Sequence, residues 1–475
     1  MSLLKRFLKD TIIYGLATVL PRLMGIILVR LHTDVLPTEG YADVTTFYVG
    51  AAFLNVILTY GMETAFFRFF SINTNKHRVY STSLIALTLS TLGFGLLLYI
   101  LQESILQVLE LPKHYFWYLA GVVLLDTLVV APFAYLRARG KALQFTGLKM
   151  VNLITFVLLN FFFLWAIPKF GWHFSWYQTT DLRSYIFIAN LCASLATLLF
   201  IIPQFFSIKW IFDWAIFKAL WNYGWPIMIA GLAFVVNEQL DKLFVNAYQG
   251  KIVGGAYAGC YKLAVFMTIF IQAFRLGAEP FFFNHAQSKN APQTYATILK
   301  YFVIVGCLGL LIIIFGIDLL KGILIKNTSY HIALNIVPIV VLANLCLGIY
   351  HNLSIWYKLT DKTIYGMYFS LIGAGITILF NLIMLPKIGF IAAAWATLIA
   401  YGSMMLISFL VGRRKYPIPY DLNRILCYLL LSTTLSLVSF NFYRGDHHIN
   451  AILLLLFLAL VILLEKKEIL KIFKK

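Results

Sequence analysis

Apolar residues run through this chain in long blocks, and polar residues gather in short clusters between them. Fourteen blocks stand out, at 11–31, 44–67, 81–101, 115–136, 146–166, 185–206 and 221–245, then at 254–278, 297–317, 332–354, 364–385, 390–411, 425–443 and 449–464. Most hold about 20 residues, and at about 1.5 Å of rise per residue such a helix crosses about 30 Å of hydrocarbon. No connection between them is longer than 18 residues. The pattern predicts an all-α polytopic membrane protein of 14 transmembrane helices with no soluble domain. Any chemistry then falls to the few polar residues held between helices.

Two short repeats point to an internal duplication. Lys9-Asp10-Thr11-Ile12-Ile13-Tyr14-Gly15 precedes the first block, and Lys218-Ala219-Leu220-Trp221-Asn222-Tyr223-Gly224 precedes the seventh. Pro168-Lys169-Phe170-Gly171 follows the fifth, and Pro386-Lys387-Ile388-Gly389 follows the eleventh. Both pairs are displaced by six helices, an even number, so the two copies run in the same direction through the membrane. The expected organisation is an N-lobe of six helices over 1–210, a C-lobe of six over 211–415, and a terminal helix pair with a basic cytoplasmic tail over 416–475.

Composition supports the membrane reading and gives it a direction. Hydrophobic residues are 61% of the chain and charged residues 12%, far from soluble proportions. The net charge of +19 would suggest nucleic acid in a soluble protein. Here, with the N-terminus placed in the cytoplasm, 25 of the 38 Lys and Arg fall on the cytoplasmic side, Arg68, Arg137, Lys149, Lys300 and Arg424 among them. Nine fall on the other side and four inside spans. That bias follows the positive-inside rule, puts both termini in the cytoplasm and excludes a nucleic-acid partner. The five cysteines sit inside apolar blocks without paired spacing and read as small core residues. The histidines form no metal-ligand cluster, and no GxxxxGK[ST] sequence is present, so neither a resident cofactor nor direct ATP use is expected. The first block is too long, and lacks the cleavage site, for a removable signal peptide.

Charges inside the blocks are the candidate functional groups, because each is expensive to place in hydrocarbon. Arg22 follows Pro21 near the middle of the first block; it lines a polar cavity or pairs with a neighbouring carboxylate. A guanidinium suits phosphate, which it grips through two parallel hydrogen bonds. In Asn237-Glu238-Gln239-Leu240-Asp241-Lys242, Glu238, Asp241 and Lys242 share one helical stripe. Glu238 and Lys242 can neutralise each other there, leaving Asp241 and Asn237 as oxygen ligands for Na+ or H+; the alternative is a self-neutralised strut. Lys262, and the i, i+4 pair Arg275 and Glu279, occupy the eighth block. Asp126 stands alone in the fourth, suited to a proton relay or to pairing with Arg22. Arg68, with Glu63, closes the second block, where headgroup depth alone would account for it. The outer loop Trp172 to Tyr177 suits sugar stacking or interfacial anchoring.

Several stretches resemble the bacterial polysaccharide (O-antigen) flippases of the multidrug/oligosaccharidyl-lipid/polysaccharide exporter superfamily. Gly61-Met62-Glu63-Thr64-Ala65-Phe66-Phe67-Arg68 is similar to the family's ending of the second helix. Leu136-Arg137-Ala138-Arg139-Gly140-Lys141 resembles its basic turn after the fourth, and Asp241 through Gly250, Gly254, Gly255, Tyr257 and Lys262 its junction of helices seven and eight. Pro386-Lys387-Ile388-Gly389 with Ala392 to Thr397 resembles its proline-glycine turn and the small-residue start of helix twelve. The resemblance implies two lobes around a V-shaped cavity, alternating access, and an undecaprenyl-pyrophosphate-linked oligosaccharide moved from the cytoplasmic to the periplasmic leaflet of the bacterial inner membrane. It implies a place beside a polymerase and glycosyltransferases that make surface polysaccharide such as lipopolysaccharide. On this reading Arg22, Lys262, Arg275 and Arg68 are cavity cations for the substrate, and Asp126, Asn237, Glu238 and Asp241 are ion-coupling candidates. A cation-coupled multidrug exporter of the same superfamily is the first alternative; such proteins need acidic cavities and usually have twelve helices. A membrane-embedded glycosyltransferase or polymerase is the second, and its large catalytic outer loop has no counterpart here.

Overall fold

The computed structural model describes residues 20–473 other than 74, 110, 111, 207–209, 287 and 361. All regular structure among them is helical. Twelve helical stretches are long and apolar enough to cross a membrane. Eleven each coincide with one block of the sequence. The twelfth, Trp214–Arg275, contains the seventh and eighth blocks together, and the first block is described only from residue 20. The Trp214–Tyr261 run is interrupted at Gly250, whose φ of 81° is left-handed and ends one helix before the next begins.

Apolar side chains cover the outside of the helices as well as filling the interior. Leu89, Leu92, Leu96 and Ile100 are all more than 60% exposed and spaced three or four apart, giving one helix an apolar stripe suited to lipid. Polar residues such as Asp241, Asn160 and Asn381 and the small Ala392 to Ala394 are fully withdrawn, alongside large apolar side chains such as Phe47, Phe66 and Phe187. Because lipid is as apolar as Leu, helix contacts here depend on close packing and hydrogen bonds rather than on expulsion of water.

By packing the chain divides into two units, up to Gly255 and from Ala256 onward. In the first unit the helices are α1 (20–35), α2 (Thr38–Thr59), α3 (Met62–Ile72), α4 (Lys76–Leu109), α5 (Lys113–Leu128), α6 (Val130–Ala138), α7 (Ala142–Phe161), α8 (Ile167–Phe170), α9 (Leu182–Ile201), α10 (Pro203–Phe206) and most of α11 (Trp214–Tyr261). Two breaks interrupt helices in this unit. Between α2 and α3 the chain turns at Tyr60 (φ 34°) and Gly61 (φ 72°), and the Gly61 backbone lies so close to α11 that a Cβ there would stand 2.3 Å from the Gly224 carbonyl oxygen. Between α5 and α6 the helix breaks at Val129, three residues before Pro132, which has no N–H to continue the ladder. A π-helical turn at Phe162–Ala166 likewise precedes Pro168. Tyr80 and Tyr135 stack face to face with centroids 4.0 Å apart, joining α4 to α6.

The second unit contains α12 (Val265–His285), α13 (Ala291–Phe315), α14 (Ile317–Leu324), α15 (Val337–Leu353), α16 (Ile355–Leu359), α17 (Ile364–Ile388), α18 (Ile391–Lys415), α19 (Leu422–Phe442) and α20 (His447–Phe473). The buried alanines of α18 let it pack closely on α15 and α17. Gly171 and Gly389, at the ends of the two Pro-Lys-x-Gly segments, both follow helices with positive φ. The terminal helices are tied to α13 by charge: Glu465 of α20 is 1% exposed and accepts from Lys300 Nζ at 2.7 Å, Arg424 Nη1 at 3.1 Å and the Tyr428 hydroxyl at 2.7 Å. Lys300 and Arg424 therefore do more than mark a membrane side. Removing Glu465 orphans a buried lysine, so Glu465→Ala is expected to cost about 3 kcal/mol. Glu465→Gln, which keeps a partner for Tyr428, should cost less. Thermal unfolding of the detergent-solubilised variants measures both.

Candidate functional site: a polar cavity in the first unit

Six helices of the first unit, α2, α3, α5, α6, α7 and α9, together with α11, wall a cavity of 730 Å³. Asn55 and Thr59 come from α2, Glu63 and Thr64 from α3, Asp126 from α5, Arg137 from α6, Lys149 and Asn152 from α7, and Asn190 and Thr197 from α9. Helical spacing produces this convergence: Asn55, Thr59 and Glu63 recur every four residues, and Asp126, Val130, Phe133 and Arg137 recur every three or four, so each set shares one face across the breaks at Tyr60–Gly61 and Val129. A second cavity of 500 Å³, reached past Pro21, Gly25 and Leu28 of α1, shares Phe145, Lys149, Asn152 and Asn190 with the first. Those four residues form a common partition. His32 of α1 meets Asn160 of α7 at 2.8 Å, fixing the helix that borders the second cavity.

The charges in the first cavity are matched in sign. Arg137 Nη1 donates to Glu63 Oε1 at 2.9 Å, and its guanidinium lies over the Phe67 and Phe145 rings at 4.9 and 5.7 Å. Lys149 Nζ sits 4.5 Å above the Phe133 ring. Its charge acts on Asp126 and on Glu63 without a direct ion pair. Two carboxylates and two cations thus form one coupled set. The amides between them are only partly engaged: Asn152 Nδ2 donates to Thr197 Oγ1 at 3.0 Å and Asn190 Nδ2 reaches the Tyr48 hydroxyl at 3.5 Å. The Asn55 side chain is exposed and has no hydrogen bond among the described residues.

The sequence-derived candidates separate under this geometry. Asp126 lines the cavity, and Lys149 is a cation on the same wall. Arg22 is half-buried in α1 beside Pro21, and Arg68 is exposed with its guanidinium 4.5 Å over the Tyr223 ring; neither lines the two cavities. Asn237, Glu238 and Asp241 do lie together on α11, but the expected pairing within that stripe is corrected. Lys242 Nζ goes to Asp241 Oδ1 at 2.8 Å and to the backbone carbonyl of Glu238 at 2.7 Å. Both Asp241 and Lys242 are buried, so the shortest neutralising contact is the one made. In the second unit Lys262 is exposed on a single 3₁₀ turn, and Arg275 Nη1 is 3.5 Å from His351 Nε2. The side chain of Glu279, its expected partner, lies outside the described residues. Lys149, Arg137 and Glu63 are the residues that sequence reasoning passed over, having assigned the first two to membrane sidedness. Asparagines at 55, 152 and 190 interrupting apolar blocks were the available signal.

One end of the same unit is held by a second set of charges. Asp43, buried on α2, takes Arg183 Nη1 at 2.7 Å and Lys251 Nζ at 2.9 Å, joining α2, α9 and α11. Asp181, in the connection before α9, accepts from Tyr115, Ser184 and His114. Burial alone would raise its carboxyl, but those hydrogen bonds and the Arg183 charge outweigh it and hold the group below the usual carboxylate range.

The described residues thus form an all-helical chain with many candidate membrane spans and a polar cavity walled by helices of its first unit. A family model described as "Polysaccharide biosynthesis protein" matches residues 7–278, and a second, MatE, matches 226–383. The chain belongs to the polysaccharide biosynthesis protein family. Comparison with curated protein sequences finds no match. Among solved structures it is similar to the lipid II flippase MurJ in an inward closed conformation, at 17% identity and a TM-score of 0.75, covering 96% of this chain and 100% of that one. It is also similar to a multidrug resistance MATE family transporter of the MOP superfamily in its inward-facing conformation, at 12% identity and TM-score 0.67 over 88% and 98% of the two chains. For the Vibrio cholerae MATE transporter VcmN the values are 16% and 0.60 over 87% and 98%. The fold is therefore the one these transporters share, and the chain is a multi-pass membrane protein.

The depressed Asp181 carboxyl has a measurable consequence. Its favourable contacts are present above the unfolded carboxylate pKa of about 4 and are lost as pH falls through the lower folded value. Thermal stability should fall on acidification below about pH 4, and Asp181→Asn should flatten that part of the profile while lowering stability at neutral pH.

Proposed function

We propose that this protein is a flippase that carries an undecaprenyl-pyrophosphate-linked oligosaccharide from the cytoplasmic to the periplasmic leaflet of a bacterial inner membrane, for assembly of cell-surface polysaccharide. The observation that carries the reading is the polar cavity. Hydrocarbon excludes a headgroup rich in hydroxyls and phosphate, so such a cargo crosses only where protein supplies hydrogen-bond partners. Family membership supports the polysaccharide pathway, and the fold similarity to a lipid II flippase supports a lipid-linked cargo. The lipid tail stays in the bilayer throughout.

On this account Arg22 is the clamp for the pyrophosphate, with Arg68, Lys262 and Arg275 as further cations along its route. Transport draws on a proton or sodium gradient, or on consumption of the product outside the membrane. Asp126 is the coupling carboxylate to test first; Asp241 is already committed to Lys242. The glycosyltransferases that build the cargo and the polymerase that consumes it are the expected partners. The MatE match raises a cation-coupled drug exporter as a second reading. Such an exporter needs an excess of acidic groups for a cationic drug, and in this cavity Glu63 is paired with Arg137 while Asp126 shares the wall with Lys149.

Protein reconstituted into vesicles should translocate a fluorescent lipid-linked oligosaccharide, and imposed proton or sodium gradients should identify the coupling ion. Asn152→Leu, which removes an amide from the partition, should slow translocation about tenfold, a loss of the size expected for one buried hydrogen bond to substrate. Full export by Arg22→Ala at normal expression would remove the clamp assignment. Efflux of cationic dyes without lipid translocation would select the exporter.

A further inference from the structure

We infer that the first-unit cavity is a subsite for an uncharged stretch of glycan, and that its internal charge matching sets a preference for neutral over acidic sugars. The inference rests on the flippase reading for its substrate and adds to it a location and a selection rule.

The lining carries four charged side chains, Glu63, Asp126, Arg137 and Lys149, which cancel in pairs. An acidic sugar entering this space finds Arg137 already paired with Glu63, and Lys149 sharing the wall with a second carboxylate, Asp126. Its own carboxylate would be stripped of water and gain no new counter-charge, while lying beside Glu63 or Asp126. A neutral sugar meets no such cost. Its hydroxyls both donate and accept, and so do the side-chain amides of Asn55, Asn152 and Asn190 and the hydroxyl of Thr64, all of which line the same wall. The Phe133 and Phe145 rings supply apolar area for the carbon faces of a sugar, although Lys149 and Arg137 each already approach one of them.

The volume sets the size of the ligand. At about 30 Å³ per liquid water molecule, 730 Å³ corresponds to roughly two dozen waters. It also falls within the range of about 300–1,000 Å³ typical of small-molecule pockets. That is room for a short oligosaccharide rather than a polymer, which matches transport of repeat units before polymerisation. An isoprenoid tail is a poor occupant of a wall carrying four charges and three amides, whereas the apolar slot of 330 Å³ formed in the second unit by Phe266, Met267, Phe270 and Ile312 has the opposite character.

The pairing can be unbalanced with small changes. Glu63 is about half exposed, so Glu63→Gln should fold normally while releasing Arg137. Asp126→Asn is isosteric and removes one of the two carboxylates, leaving the cations Arg137 and Lys149 in excess on the wall. The full-length protein in nanodiscs is titrated with two soluble trisaccharides that differ only in one hexose or hexuronate, and the same protein in vesicles is assayed with the matching polyprenyl-pyrophosphate-linked forms. Wild type should bind and translocate the neutral form about tenfold better, the size of a single unfavourable charge contact. Both variants should lose or reverse that preference. Equal handling of the two glycans by wild type, or a preference that Glu63→Gln and Asp126→Asn leave unmoved, overturns the inference while leaving the flippase reading intact. Selective binding without translocation sustains the subsite and overturns the flippase reading. Binding of neither glycan overturns the subsite whatever the transport result.

Discussion

A charge among apolar helices has to be matched before it can be held there, and the rest of this structure depends on that constraint. Where burial is deep the matching is direct: Lys242 with Asp241, Lys300 with Glu465, Arg183 and Lys251 with Asp43. The contacts of Glu465 and Asp43 join different helices and fix their relative positions, whereas Lys242 and Asp241 neutralise each other on one helix. In the cavity the matching is looser. Glu63 and Arg137 touch, Asp126 and Lys149 act on each other at longer range, and the space between them stays open to a ligand.

Ordinary helical spacing lines the cavity, and backbone interruptions fall along both of the faces concerned. Asn55, Thr59 and Glu63 recur every four residues across the Tyr60–Gly61 turn, which lies where Gly61 and Gly224 bring two backbones together without side chains. Asp126 and Arg137, about three turns apart, likewise share a face across the break before Pro132. In lipid such interruptions are tolerated where protein or water satisfies the freed backbone groups, which is the situation around a polar cavity.

Much of the fold was legible in the sequence, because hydropathy over 20-residue blocks reports the single strongest demand the bilayer makes. The described parts of the blocks fell on helices, and Gly61, Pro168, Gly250 and Gly389 fell at turns, breaks or helix ends. The site was legible only in part. Asp126 was recognisable as a lone carboxylate in an apolar block, but Lys149 and Arg137 sit near block ends, where a basic residue is also what sidedness requires. Sequence spacing could place Glu238, Asp241 and Lys242 on one stripe; it could not decide which carboxylate the ammonium reaches, since side-chain reach and burial settle that.

The central claim is that a glycan headgroup occupies the first-unit cavity during its passage. Asn55, exposed on the cavity wall, offers the most direct test. In a chain with its five cysteines replaced and Asn55→Cys introduced, a water-soluble thiol reagent should label the new cysteine, and saturating lipid-linked oligosaccharide should slow that labelling at least severalfold while the bare polyprenyl-pyrophosphate does not. Labelling unchanged by the oligosaccharide, in protein that still translocates it, would place the route elsewhere and contradict the account.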